Sequence, residues 1–310
     1  MKIGMRAAVC ALASAAGLAA CSVPGRTGTT EVATDGMPAL AGQQQTCAGP
    51  RHKTFTLEAR DTAVDLGMGT RFQAWTYNGR LPGPTIEACQ GDDVTITMAN
   101  HASTSHGLDS HALMTSATHF GPVAPNHTMT LEKVVDTPGV YMYHCASGPV
   151  TDLHIKSGLA GAMIVYPRSE RLRPARELVV VESAVYGDRD PSGLIPGTNP
   201  TRALKNDPAL VMFNGRLEHR EITVNPGDLV RVYFVNVGPG MSSVHVMGTL
   251  LDRVIDGSRR TDKVQTYGVP AGGGATIEFR IPEAGMYGFV DHDRLGYAPL
   301  GLMLSFMAGV

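Results

Sequence analysis

Charge of one sign, cysteine and long apolar runs are all scarce in this 310-residue chain. Lys and Arg number 26 against 28 Asp and Glu, a formal net charge of −2, so there is no basic excess to neutralise a phosphate backbone. That argues against a nucleic-acid binder. Apolar residues still make up 43% of the chain, too many for a disordered polypeptide. The most apolar stretch, from Ala7 to Ala20, is too short to cross a bilayer comfortably. No His-x-His pair occurs anywhere, and no cysteine follows Cys145.

What is present is turn chemistry: 36 Gly and 20 Pro suit an all-β protein with many short strands, and the length suits two domains. Met1-Lys2-Ile3-Gly4-Met5-Arg6 is a short basic segment ahead of the apolar one, so residues 1–20 read as a signal peptide. It ends in Leu18-Ala19-Ala20-Cys21, which resembles the lipobox of bacterial lipoproteins. That likeness implies a lipid-modified Cys21, and Ser22 in place of Asp fits outer-membrane sorting in a Gram-negative cell. Residues 21–50 are rich in Gly, Thr, Ala and Gln without hydrophobic period, and read as a flexible tether. Of the remaining cysteines, Cys47 and Cys89 are compatible with a disulfide in an oxidising compartment or with two buried thiols.

The chain is organised around Tyr143-His144-Cys145-Ala146-Ser147-Gly148-Pro149-Val150-Thr151-Asp152-Leu153-His154. Side chains on a strand alternate faces, so adjacent His144 and Cys145 point opposite ways and do not easily share one metal. The Gly-Pro turn can fold His154 back to join Cys145, making half of a trigonal His₂Cys site of the kind copper prefers. Upstream, His106 and His111 stand five apart, an odd spacing that also sets them on opposite faces. The simplest pairing puts His106 with Cys145 and His154, and His111 with His144. Any one of these residues alone reads as a core or surface side chain; their joint spacing points to two metal centres.

Strand-like segments separated by turn signals fill the first half, among them Phe55 to Ala59, Phe72 to Tyr77, Val94 to Met98 and Met129 to Val135. The second half echoes the first. Asn214-Gly215-Arg216-Leu217 repeats Asn78-Gly79-Arg80-Leu81, and Gly227-Asp228 repeats Gly91-Asp92 at the same offset. A duplicated β-sandwich follows, with domains over 51–167 and 168–310 and a charged, Pro-flanked boundary near Pro167 to Pro174. Asp188 to Pro208 reads as a long turn-rich excursion.

Asn78-Gly79-x-Leu81-Pro82-Gly83-Pro84, Gly91-Asp92, His106-Gly107-Leu108-Asp109-Ser110-His111 and His144-Cys145 through His154 together resemble the two-domain copper-containing nitrite reductases of the cupredoxin superfamily, from about Phe55 onward. The lipobox resembles that of the family's outer-membrane lipoprotein members. The resemblance implies an all-β fold of two tandem cupredoxin-like Greek-key sandwiches and two coppers per subunit. It implies type 1 ligands His106, Cys145 and His154, and type 2 ligands His111, His144 and a third, His292, from a neighbouring subunit of a homotrimer. Asp109 matches the family's proton-handling aspartate and His245 its catalytic histidine. Gln265 and Thr266 match residues that orient that histidine, and Met247 falls where an apolar residue caps the copper. One position departs: where the family has an axial methionine this chain has Leu159, with Met163 as the alternative axial residue.

The activity so implied is one-electron reduction of nitrite to nitric oxide, with the electron passing from type 1 copper through Cys145-His144 to type 2 copper. A small cytochrome c or cupredoxin would be the donor, and the protein would be lipid-anchored to the outer membrane, facing the periplasm or cell surface. Three other readings compete. An O₂-reducing, laccase-like multicopper oxidase needs His-x-His pairs and a His-Cys-His triplet, whereas here Ala146 follows Cys145. A non-catalytic copper-binding or electron-transfer cupredoxin would hold one copper and not bind nitrite. Zinc at the three-histidine site would leave the blue centre intact and abolish turnover. His119 and His127 read as solvated loop residues or as lining an access channel, and His52, His101 and His219 as surface residues.

Overall fold

The computed structural model describes residues 37–309; the signal-peptide segment and Cys21 lie outside them. Four sheets are stacked as two sandwiches. In the first, Thr70–Tyr77, His52–Gly67, Asp92–Asn100 and Thr128–Val135 form one sheet in that order, with the short Leu194–Ile195 added at its edge. Ile86–Cys89, Ala160–Tyr166, Gly139–His144 and Asp109–Ser110 form the facing sheet. In the second, Leu210–Phe213, Arg176–Val185, Leu229–Asn236, Gly274–Arg280, Leu251–Asp256 and Arg259–Val264 face Arg220–Val224, Met303–Ala308, Gly285–Asp291, Ser242–Val246 and Thr266–Val269.

The repeat seen in the sequence has a structural counterpart, down to individual hydrogen bonds. Asn78-Gly79 and Asn214-Gly215 all take positive φ, the conformation a tight turn of this kind demands. Asn78 Oδ1 accepts from the Glu58 N–H at 2.6 Å, and Asn214 Oδ1 from the Val181 N–H at 2.8 Å. Asn100 and Asn236 likewise donate to carbonyls of the loops that follow them, Val123 and Val269, each at 2.8 Å. Each such asparagine satisfies backbone groups that a buried loop start would otherwise leave unpaired. Both copies also pair their opening strand in parallel with the one after the Gly-Asp turn: Phe55 with Ile96, and Val179 with Tyr233.

Each sandwich has its own apolar core, and a third cluster of Val140, Met142, Ala162, Ile164, Val179, Val181 and Val235 fuses the two. The excursion after Val185 is not structureless. Leu194 and Ile195 pair in parallel with Arg71 and Phe72, so it straps the second sandwich onto the first.

Residues 37–50, assigned to the flexible tether 21–50, are docked. Met37 is buried in the second core, and a short helix, Gly42–Ala48, follows. The Glu87 carboxylate accepts from the backbone N–H of Ala41 and Gly42. The Gln43 amide donates to the Pro167 and Glu170 carbonyls and accepts from the Leu172 N–H. Cys47 and Cys89 are disulfide-bonded. Polar and small residues hold this segment through backbone hydrogen bonds and one covalent link, so it carries no hydrophobic period to read.

Candidate metal centres

The side chains of 144 and 145, and of 106 and 111, fall on opposite sides as the spacing predicts, although Cys145 lies just past the strand end and His106 and His111 flank the two-residue strand Asp109–Ser110. Just past the strand Gly139–His144 the Cys145 side chain turns into the core, while the His144 ring, at the strand's last residue, turns out. His154 reaches Cys145 from a six-residue helix, Thr151–Lys156, that the sequence reading did not anticipate. His106 Nδ1 and His154 Nδ1 are 3.1 Å apart, and they lie 3.9 and 3.4 Å from the Cys145 sulfur. All three residues are buried. Burial and the neighbouring His154 hold His106 down to about 4, and burial also lowers His154, so both rings are neutral.

These residues fit a metal ion. Donor atoms at roughly 2.0–2.3 Å from one first-row ion stand roughly 3.3–3.8 Å from each other, close to the spacing here. Two Nδ1 atoms and a thiol sulfur converge on one point, and a cation held there would take a lone pair from each. His106 Nε2, buried, has no hydrogen-bond partner among the described residues, so nothing there draws the ring elsewhere. The set of two imidazoles and one thiolate suits copper.

Burial pushes the Cys145 thiol up, while hydrogen bonds from the Gly107 N–H at 3.3 Å and the Ser147 hydroxyl at 3.2 Å favour the thiolate. Gly107 can approach because it lacks a side chain: a Cβ there would stand 2.2 Å from the Ala146 carbonyl oxygen and 2.4 Å from that of Gly121. Leu159 is fully buried in the same core and its carbonyl accepts from the Cys145 N–H at 3.0 Å. The alternative axial residue, Met163, instead takes a hydrogen bond on its sulfur from Ser110 at 3.5 Å. Trp75, to which the sequence reading gave no role, packs edge-on against both His106 and His154, with ring centroids 5.0 and 4.7 Å away.

The second cluster lies across the strand. Asp109 is the cross-strand partner of His144, and the His111 N–H donates to the Met142 carbonyl, which fixes the loop. His111 Nε2 and His144 Nε2 are 3.1 Å apart, and Asp109 Oδ2 is 3.8 Å from His144 Nε2. His144 donates from Nδ1 to the Cys145 carbonyl at 2.7 Å, which fixes its tautomer and leaves the Nε2 lone pair facing His111. Burial is the chief cause of the lowered His144 value. Among the described residues, groups of three or more donors able to hold one ion are these two: His106, Cys145 and His154, and Asp109, His111 and His144.

His245 and His292 join neither cluster within the chain. Their rings lie 5.1 Å apart on the second sandwich. The His245 Nδ1–H donates to the Gln265 carbonyl at 2.7 Å, and Thr266 is its cross-strand partner, so both residues expected to orient it are in contact with it. Met247 is the first residue past the end of that strand, Ser242–Val246, its methyl over Gly288 beside the Met303 sulfur. His119 and His127 are exposed. Next to His292, buried Asp291 accepts from the Ser243 and Asp293 N–H groups and pins the start of the turn.

Beside that turn, burial and the nearby Asp291 carboxylate raise Glu182 to about 8, against a hydrogen bond from Ser242. A carboxyl neutral in the fold but ionised when unfolded binds more protons in the native state between about 4.5 and 8. Stability therefore falls as pH rises through that window. Glu182→Gln is expected to flatten the fall and to raise Tm at pH 8, read by thermal melts across pH; parallel curves for the two proteins would contradict it.

Two stacked Greek-key sandwiches carrying a His₂Cys cluster define a two-domain cupredoxin-like copper protein. Comparison with known proteins agrees. The multicopper oxidase family matches residues 58–170. The copper-containing nitrite reductase of Neisseria meningitidis serogroup A is 32% identical over 258 residues, 78% of this chain and 66% of that protein. That of Neisseria gonorrhoeae is 32% identical, covering 78% and 65%. The copper nitrite reductase of Nitrosomonas europaea superimposes with TM-score 0.73 at 30% identity, covering 82% of this chain and 94% of that one. The chain belongs to the copper-containing nitrite reductase family. It spans about two thirds of the length of the curated relatives it matches, 66% and 65%.

Proposed function

We propose that this protein reduces nitrite to nitric oxide: one electron and two protons convert nitrite to nitric oxide and water. The observation that carries the reading is that two donor clusters meet at one peptide bond, with Cys145 in the first and His144 in the second. That bond is the short covalent path between them. His106, Cys145 and His154 would hold type 1 copper; His111 and His144, with His292 lent by a second copy of the chain, would hold type 2 copper. The coppers, two per subunit, would supply electron storage and Lewis acidity.

The chain's own groups do the rest. Asp109, 3.8 Å from the His144 ring nitrogen, would pass a proton to the nitrite oxygen that leaves as water. His245, with Nδ1 committed to the Gln265 carbonyl, presents Nε2 as the second proton source. His245 and His292 stand together on the second sandwich, so one contact between copies would deliver both, which is why a homotrimer is part of the proposal. Domains over 51–167 and 168–310, a lipid on Cys21 that anchors the protein to the outer membrane, and a small cytochrome c or cupredoxin donor complete it.

Anaerobic nitrite turnover with a reduced artificial donor on copper-loaded protein tests the reading. Nitric oxide release with two coppers per chain is expected; one copper per chain and no nitrite binding would establish the non-catalytic alternative. The axial position gives a second result. Leu159 offers no donor atom, so introducing a thioether should stabilise the oxidised ion. Leu159→Met is expected to lower the type 1 midpoint potential in a spectroelectrochemical titration; an unchanged potential removes Leu159 from the axial position.

A further inference from the structure

The Cys145 sulfur is hydrogen-bonded by a side chain that the reaction does not use. Ser147 is buried, and its hydroxyl lies 3.2 Å from that sulfur. Once the sulfur is a thiolate, the hydroxyl is the only donor of the two. Among the described residues that sulfur is the hydroxyl's one hydrogen-bond partner. The serine is also held in place: its backbone N–H donates to Thr151 Oγ1 at 2.8 Å, at the start of the helix that carries His154. The Gly107 N–H supplies the second hydrogen bond to the sulfur.

We propose that Ser147 is a positioning residue that sets the reduction potential of the His106, Cys145 and His154 centre by donating its hydroxyl proton to the Cys145 sulfur. A hydrogen bond draws negative charge away from the sulfur and weakens its donation to the metal. The oxidised ion depends on that donation more than the reduced ion does, so the bond favours reduction and raises the potential. The driving force for uptake from an external donor grows, and that for onward transfer through His144 shrinks. Together with Leu159, the serine gives the chain two independent means of holding the first centre at high potential.

The inference rests on copper being bound at that cluster, and its test separates the two. Full-length copper-loaded protein, Ser147→Ala and Ser147→Thr are compared by visible spectrum and spectroelectrochemical titration. Ser147→Ala is expected to keep the thiolate-to-metal band but move it, and to lower the midpoint potential. Ser147→Thr, which retains the hydroxyl, is expected to match the wild type in both. Wild-type potential in the alanine variant, or a threonine variant that behaves like alanine, would overturn the proposal. If alanine fails to hold copper, Ser147→Val replaces it; equal potentials for the valine and threonine variants, which have the same shape, would overturn it equally. A wild-type protein with copper but no thiolate band would instead sink the assignment of the centre itself.

Discussion

Cys145→Ala is expected to remove the visible absorption band entirely and to reduce donor-driven nitrite turnover to that of metal-free protein. The cluster has one residue able to supply an anionic ligand, and alanine leaves only two imidazoles, their Nδ1 atoms 3.1 Å apart. The fold should survive. The residue is fully buried in the first core, but the lost sulfur is about one methylene in size and costs about 1 kcal/mol. The other cluster keeps its ligands, because the His144 tautomer is fixed by the backbone carbonyl of residue 145 and not by its side chain. Copper content should therefore fall from two per chain to one, measured by metal analysis beside the visible spectrum. A variant still coloured, or still turning over with an external donor, would remove Cys145 from the centre.

The second large effect is confined to proton delivery. Asp109→Asn should leave the visible band and the copper content unchanged and lower nitrite turnover by roughly 10²–10⁴-fold, the usual contribution of a placed acid or base. Asparagine matches aspartate in shape and can still meet the His144 ring across the strand, yet it cannot carry a proton to the departing oxygen. The pairing of Asp109 with His144 in an antiparallel register makes the site tolerant of that exchange. Steady-state turnover at several pH values, with the spectrum as a control for the first centre, measures the loss. An Asp109→Asn protein with full activity would refute the role.

Much of the clustering was legible because spacing in near-extended chain sets alternate residues on opposite sides, even where, as at Cys145 and His111, the strand itself has ended. Adjacent residues 144 and 145, and residues 106 and 111 at an odd spacing, could be assigned to opposite sides before any coordinates. The duplicated turns at Asn78-Gly79 and Asn214-Gly215 announced the second sandwich in the same way. The rest depends on tertiary contacts with no period in the sequence. The helix under His154 begins just after Gly148 and Pro149, which read as a turn, and is only six residues long. The docked segment from residue 37 is held by backbone N–H groups donating to Glu87, by the Gln43 amide donating to Pro167 and by a disulfide, none of which leaves a hydrophobic pattern. Gly107 looked like any loop glycine until the approach of Ala146 gave it a reason. Trp75 lay on a strand whose apolar pattern already explained it, so nothing in the sequence tied it to the imidazoles it touches.

Anomalous diffraction at the copper edge from crystals of the copper-loaded assembly tests the central claim most directly. Two peaks per chain are expected, one among His106, Cys145 and His154, and one between His111 and His144 with the His292 ring of an adjoining copy closing it. A single peak, or a second peak that no copy of His292 approaches, would contradict the account.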